Sequence, residues 1–185
     1  MLKTFTLPGT NLTLKRIGYG AMRLTGPHIW GPPKDVPAAL AVLQNAIKLG
    51  VNHIDTSDFY GPHITNQLIR KALHPYAKDL TIVTKVGFRR EPDSSWKPAH
   101  SAAELEKAVD ENLSNLGLDQ LAIVNLRMPD GGQTSLREPL EALVKLQNKG
   151  KIRYLGVSNV SLKQYLEARA LANIVCVQNL YNLVN

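Results

Sequence analysis

Asp55, Tyr60 and Lys85 are an acid, a phenol and an amine carried on two short stretches, His53-Ile54-Asp55-Thr56-Ser57-Asp58-Phe59-Tyr60-Gly61 and Thr84-Lys85-Val86-Gly87. A phenol has an unperturbed pKa of about 10 and gives up its proton poorly at neutral pH. An ammonium beside it stabilises the phenolate, and a buried carboxylate can hold that ammonium in place. Asp55 alone reads as a plain loop carboxylate; with Tyr60 and Lys85 it reads as part of a proton-donating centre. Asp58 has no such partner and reads as a solvated or capping residue. His53 opens a strand and reads as a satisfied structural histidine. For His63, at a helix start after Gly61-Pro62, a substrate-side role is the lesser reading. His28, His74 and His100 lack ligand spacing, so no metal is expected.

The elements that must position these residues alternate. Strands are predicted over Arg16 to Met22, Asn52 to Ser57, Leu80 to Val86, Leu121 to Leu126, Ile152 to Val157 and Ile174 to Leu180. Between them fall helical patterns. Pro37 to Leu49 carries Leu40, Leu43 and Ile47 on one face, and Thr65 to Leu73 carries Leu68, Ile69 and Leu73. Ser101 and Glu104 form a capping box ahead of Leu105, Val109, Leu113 and Leu116. A helix over Leu136 to Gln147 ends at Lys149-Gly150-Lys151, and Ser161 caps the last, which runs to about Leu171. Asp55 and Lys85 thus fall at the ends of successive strands, with Tyr60 in the loop after the first.

Six strands separated by helices imply an α/β parallel sheet with right-handed crossovers, apolar on both faces. An open doubly wound sheet and a TIM-type (β/α)8 barrel both fit. Gly18-Tyr19-Gly20-Ala21-Met22-Arg23 opens no helix, which argues against the doubly wound fold. Thr4 to Leu7 and Leu12 to Leu14 alternate around Pro8-Gly9-Thr10-Asn11 and read as an N-terminal β-hairpin over residues 1–15, placed to plug a barrel. Residues 16–182 would supply about six of eight strand–helix units of a single domain. The longest irregular segment is Gly87 to His100. Trp30 and Trp96 fall in loops after strands one and three, where they line an apolar pocket or pack locally. Cys176 reads as inert core.

With 44% hydrophobic and 20% charged residues the chain has the composition of a globular protein. Its apolar runs are too short for a membrane span, and Met1 to Pro8 contains no secretory h-region. One cysteine precludes an internal disulfide, and a cytoplasmic location is expected. The net charge of +7 is dispersed, so no nucleic-acid partner is expected; a phosphate-bearing cofactor would suit it.

The chain resembles the aldo-keto reductase superfamily along its length. The resemblance rests on Arg16 to Leu24, on the five-residue step from Asp55 to Tyr60, and on Ile82-Val83-Thr84-Lys85-Val86-Gly87. It rests further on Ser114 to Asp119, on Gly150-Lys151-Ile152-Arg153-Tyr154-Leu155-Gly156-Val157-Ser158-Asn159, and on Gln178 with Tyr181-Asn182. It implies an eight-unit barrel that reduces a small aldehyde or ketone with NADPH (NADP as the product), NAD being the alternative nucleotide. It implies Tyr60 as general acid, Lys85 as the group favouring its phenolate, and Asp55 as the partner of Lys85. Gly20 and Met22 on the first strand and loop, with Ser158, Asn159 and Gln178, are implied on the cofactor side. At the end of strand four, where the family usually carries a carbonyl-binding histidine, the pattern places Arg127, with Asn125 two residues earlier. The family's last two strands and its phosphate-gripping loop have no counterpart before Asn185. A non-catalytic fragment or scaffold is therefore the alternative reading, with self-association expected through open barrel edges.

Overall fold

The structure is a computed structural model that describes residues 3–131 and 134–184. The chain opens with an antiparallel hairpin of β1 (Thr4–Thr6) and β2 (Thr13–Lys15). There follow β3 (Tyr19–Gly20), α1 (Val36–Lys48), β4 (His53–Asp55), α2 (Ile64–Leu73) and β5 (Thr81–Val86). A second hairpin pairs β6 (Phe88–Arg90) with β7 (Trp96–Pro98). The remainder is α3 (Ala102–Leu116), β8 (Leu121–Arg127), α4 (Arg137–Asn148), β9 (Ile152–Ser158), α5 (Leu162–Leu171) and β10 (Ile174–Gln178). The central sheet has the order β3-β4-β5-β8-β9-β10, and every pair in it is parallel. It is a curled half-barrel with helices on its outer face, as the alternating pattern predicts.

Strand alternation sorts the side chains. Ile82, Val86, Val124, Leu126, Leu155 and Val157 pack outward in one core with Leu43, Ile69, Leu105, Leu116 and Leu143 of the helices. Val83, Ile123 and Val175 face inward and pack on Leu7 and Leu14 of the first hairpin, which covers the lower part of the concave face. Register then aligns Lys85 with Asn125, Asn125 with Gly156, and Arg127 with Ser158 on that inner face. Crowding there explains Gly156: a Cβ would lie 2.1 Å from Asn125 Oδ1 and 2.5 Å from Cys176 Sγ. Gly156→Val is expected to destabilise the fold by roughly 1–3 kcal/mol through overpacking, read as a lower urea midpoint at unchanged m-value.

The capping boxes form as the sequence implies, Ser101 with Glu104 and Ser161 with Gln164. Three expectations are corrected. The first strand shrinks from Arg16–Met22 to Tyr19–Gly20, because Ala21–Leu24 winds into a 3-10 turn that buries Ala21 and Leu24 together. The last strand stops at Gln178 instead of Leu180. The Asn179 side chain there accepts from Val160 N and donates to Val160 O, taking the backbone out of the ladder. Gly87–His100 is not irregular but contains the β6–β7 hairpin. Arg90 anchors it, donating to His28 O, Ile29 O and Ser94 O and lying 4.1 Å from the Trp96 ring centroid.

Candidate active site

The β4–β5 register, with Asp55 opposite Val83, brings the end of β4 beside Lys85. Lys85 Nζ donates to Asp55 Oδ1 at 2.6 Å and to Thr56 O at 3.0 Å. The lysine side chain is 3% exposed and the aspartate 26%, so the carboxylate is the partner that reaches toward solvent. A charge buried this far needs a partner, which Asp55 supplies. Lys85 Nζ also lies 5.3 Å from the Tyr60 ring centroid.

Tyr60 is held by its loop. Its N–H donates to Ser57 O, and its carbonyl accepts from Thr65 N. Its ring meets Phe59 and Trp96 edge-on, at 6.2 and 6.4 Å between centroids. Its hydroxyl has no hydrogen-bond partner among the described residues. The residue lines a cavity of about 420 Å³, walled by Phe59, Phe88 and Trp96, that also receives Met22 and Arg127. The structure therefore brings Tyr60, Arg127 and Met22 to one cavity and sets the Asp55–Lys85 pair beside the Tyr60 ring, outside the cavity lining.

Arg127 follows the inward parity of β8 and stands in the cavity. Asn125 lies deeper and is fully buried, its Oδ1 accepting from Cys176 Sγ at 3.2 Å. Burial, with the Asp55 charge adding, pushes the Cys176 thiol up to about 11, so the sulfur stays protonated in the core, as the sequence suggests.

Ser158 and Gln178 are paired across β9 and β10. Ser158 Oγ and Gln178 Oε1 are buried with no hydrogen-bond partner. Orphaned polar atoms like these carry a desolvation cost of about 1–3 kcal/mol each unless a ligand meets them. A hydroxyl oxygen beside an amide oxygen can accept from a carboxamide NH2, so this pair of acceptors suits the nicotinamide end of a dinucleotide. Asn159, in the left-handed region at φ 58°, already donates its amide to Met128 O and Asp130 Oδ1. Gly20 is exposed on β3 opposite Asp55, with open space where a Cβ would stand.

Two readings of polar residues are overturned. Asp58 is neither solvated nor a plain cap: it is 3% exposed. Its Oδ1 accepts from Asn66 and Asn115, each at 3.0 Å, and its Oδ2 meets His63 Nδ1 at 2.5 Å. Asn66 goes on to Thr56 and Asn112, and Asn112 to Thr84. This network ties both ends of the Tyr60 loop to α2 and α3. A signal was present: Asn112 falls on the Leu105-Val109-Leu116 face, where a polar residue must find a buried partner. His53 is not satisfied either, since its Nδ1 is buried without a partner. Its ring fills the place of a Gly18 side chain, whose Cβ would lie 2.1 Å from Nε2.

The Asp58 network makes stability predictions. Asp58→Ala removes the acceptor of three side-chain hydrogen bonds and is expected to cost about 3–5 kcal/mol, as for breaking a buried charged pair, read by denaturant titration. The hydrogen bond to Asp58 raises the His63 pKa above its ordinary value, against the opposing effects of burial and Lys107. A raised folded-state pKa contributes stability below the unfolded value near 6.5 that is lost as pH rises through the folded value. His53, lowered by burial, acts in the opposite sense. The difference between the chain and His63→Gln, followed by thermal denaturation across that range, isolates the His63 contribution and is expected to shrink with rising pH.

No helix among the described residues is long and apolar enough to cross a membrane. The aldo/keto reductase family profile matches residues 16–185. The chain is 57% identical over 187 aligned residues to the pyridoxine 4-dehydrogenase of Escherichia coli, covering 98% of itself and 65% of that protein. It is 37% identical to an uncharacterized oxidoreductase of Schizosaccharomyces pombe, covering 95% of itself and 56% of the relative. Among solved structures it resembles the glycerol dehydrogenase of Gluconobacter oxydans, with TM-score 0.86 and 28% identity over 98% of the chain and 56% of that structure. A holo-form aldo-keto reductase of Bacillus halodurans gives TM-score 0.85 and 28% identity over 98% of the chain and 58% of that structure. The chain thus spans between about half and two thirds of the length of these relatives. The profile match over residues 16–185 and the shared half-barrel agree: the chain belongs to the aldo/keto reductase family.

Proposed function

We propose that this chain carries the catalytic centre of an NAD(P)H-dependent reductase of aldehydes and ketones. The carrying observation is the unpartnered Tyr60 hydroxyl at the cavity, backed by the buried Lys85 ammonium paired with Asp55. Tyr60 donates a hydrogen bond to the substrate carbonyl oxygen and passes its proton there as the alkoxide forms. The Lys85 ammonium stabilises the phenolate left behind, and Asp55 with Thr56 O keeps that ammonium in place. Ser158 Oγ and Gln178 Oε1 hold the carboxamide, with Asn159, Gly20 and Met22 shaping the approach. A bound dihydronicotinamide supplies the hydride. NADPH is the nucleotide we favour over NADH.

The similarity to a pyridoxine 4-dehydrogenase supports a first substrate for assay, the alcohol–aldehyde pair at the 4-position of pyridoxine. Consumption of NADPH or NADH by the protein with that aldehyde is the test. A folded protein that consumes neither nucleotide with it, nor with simple aldehydes, would sink the proposal.

The 185-residue chain by itself is expected to bind the nucleotide weakly. Ser158 and Gln178 meet only the nicotinamide end, while phosphates draw much of such binding from backbone N–H groups and cations. Micromolar affinity of the isolated chain in isothermal titration would contradict this.

A further inference from the structure

We propose that Arg127 recognises an oxyanion carried on the ring of an aromatic aldehyde, so that the site prefers charged aromatic carbonyls to neutral ones. This rests on the reading of Tyr60 as the group that meets the carbonyl.

Arg127 is half-buried at the carboxyl end of β8 and lines the cavity beside Tyr60. Its guanidinium lies 6.0 Å from the Phe88 ring centroid and has no carboxylate partner among the described residues. The acid nearest in sequence that shares the cavity, Asp130, is exposed at its rim and accepts from Asn159 Nδ2. Lys85, whose ammonium lies 5.3 Å from the Tyr60 ring centroid, is outside the cavity lining and committed to Asp55 and Thr56 O. The cavity therefore holds one uncommitted, permanently charged fork of donors, among walls that are aromatic.

Those two features select a ligand together. Phe59, Phe88 and Trp96 offer faces and edges to a planar ring. A volume of about 420 Å³ admits a single substituted ring. A cation partly removed from water gains most from an anion that it can pair with directly, and the guanidinium fork matches a carboxylate bidentately. A neutral histidine-like donor at this position would polarise a carbonyl without attracting charge. The guanidinium charge biases the cavity toward a ring that carries an anion.

Binding is measured first, so that it does not depend on turnover. The sequence has two tryptophans, and Trp96 lines the cavity, so their quenching reports occupancy. Benzoate is expected to bind about tenfold tighter than benzamide. Arg127→Gln should erase the difference and Arg127→Lys should keep part of it, with circular dichroism confirming both variants folded. A parallel titration with 4-nitrophenolate tells a phenolate from a carboxylate as the preferred charge. Equal binding of all three ligands, or a preference that survives in Arg127→Gln, overturns the proposal. In turnover, 4-carboxybenzaldehyde should exceed benzaldehyde about tenfold in kcat/KM, mainly through KM, and Arg127→Gln should collapse that ratio. A binding preference without turnover of either aldehyde would count against the reductase reading and leave the Arg127 site standing. Turnover of both without preference would do the reverse.

Discussion

Tyr60→Phe is expected to lower carbonyl reduction by roughly 10²–10⁴-fold, the range for loss of a general acid, and to leave the fold in place. The hydroxyl makes no hydrogen bond to the described residues, so its removal strands no buried partner. The ring keeps its edge contacts with Phe59 and Trp96 and its place under Lys85. Stability should therefore move by no more than about 0.5 kcal/mol, as for a substitution away from any packing defect. The loss should fall on kcat more than on KM, because proton transfer occurs in the transition state. Steady-state kinetics beside a denaturation curve separates the two effects. A Phe variant with wild-type turnover would remove Tyr60 from the mechanism, and one that unfolds would show the hydroxyl to be structural.

The 185-residue chain expressed alone is expected to self-associate. β3 and β10 end the sheet, and each has a strand neighbour on one side only among the described residues. In β10 Val177 is 44% exposed, and just after it Leu180 is 74%, Tyr181 92% and Val184 87% exposed, so apolar side chains at this edge stand in water. An apolar edge strand without charge or proline is a template for another chain. The drive is smaller than a wholly open barrel would imply, because Leu7 and Leu14 cover the lower concave face and leave Ile123 1% exposed. Each ~100 Å² of apolar surface buried between copies still contributes roughly 2.5 kcal/mol before association costs. Light scattering over a dilution series is the measurement. A compact monomer at every concentration, unfolding in one cooperative step, would defeat the expectation.

Much of this molecule was legible in the residue order because the signals are local. Helical spacing in Leu105, Val109 and Leu116, the capping pairs Ser101–Glu104 and Ser161–Gln164, and β-rich runs such as Leu121–Leu126 act within a few positions of themselves. They determine strand–helix alternation, and alternation determines a parallel sheet. The Asp55–Tyr60–Lys85 set was legible for the same reason, since each residue sits at a strand end or just beyond it. What only the tertiary structure decided involves partners far apart in the chain. Asp58 meets Asn115 across 57 positions, and nothing near Asp58 announces that its carboxylate is buried. Arg127 has no carboxylate partner among the described residues because the β5–β8 and β8–β9 registers turn it into the cavity, where the one lining acid, Asp130, accepts from Asn159 instead. Ser158 Oγ and Gln178 Oε1 are orphaned because two strands align them inside the half-barrel. Sheet register is a global quantity, and a slip of one residue would have sent Arg127, Ser158 or Gln178 to the opposite face.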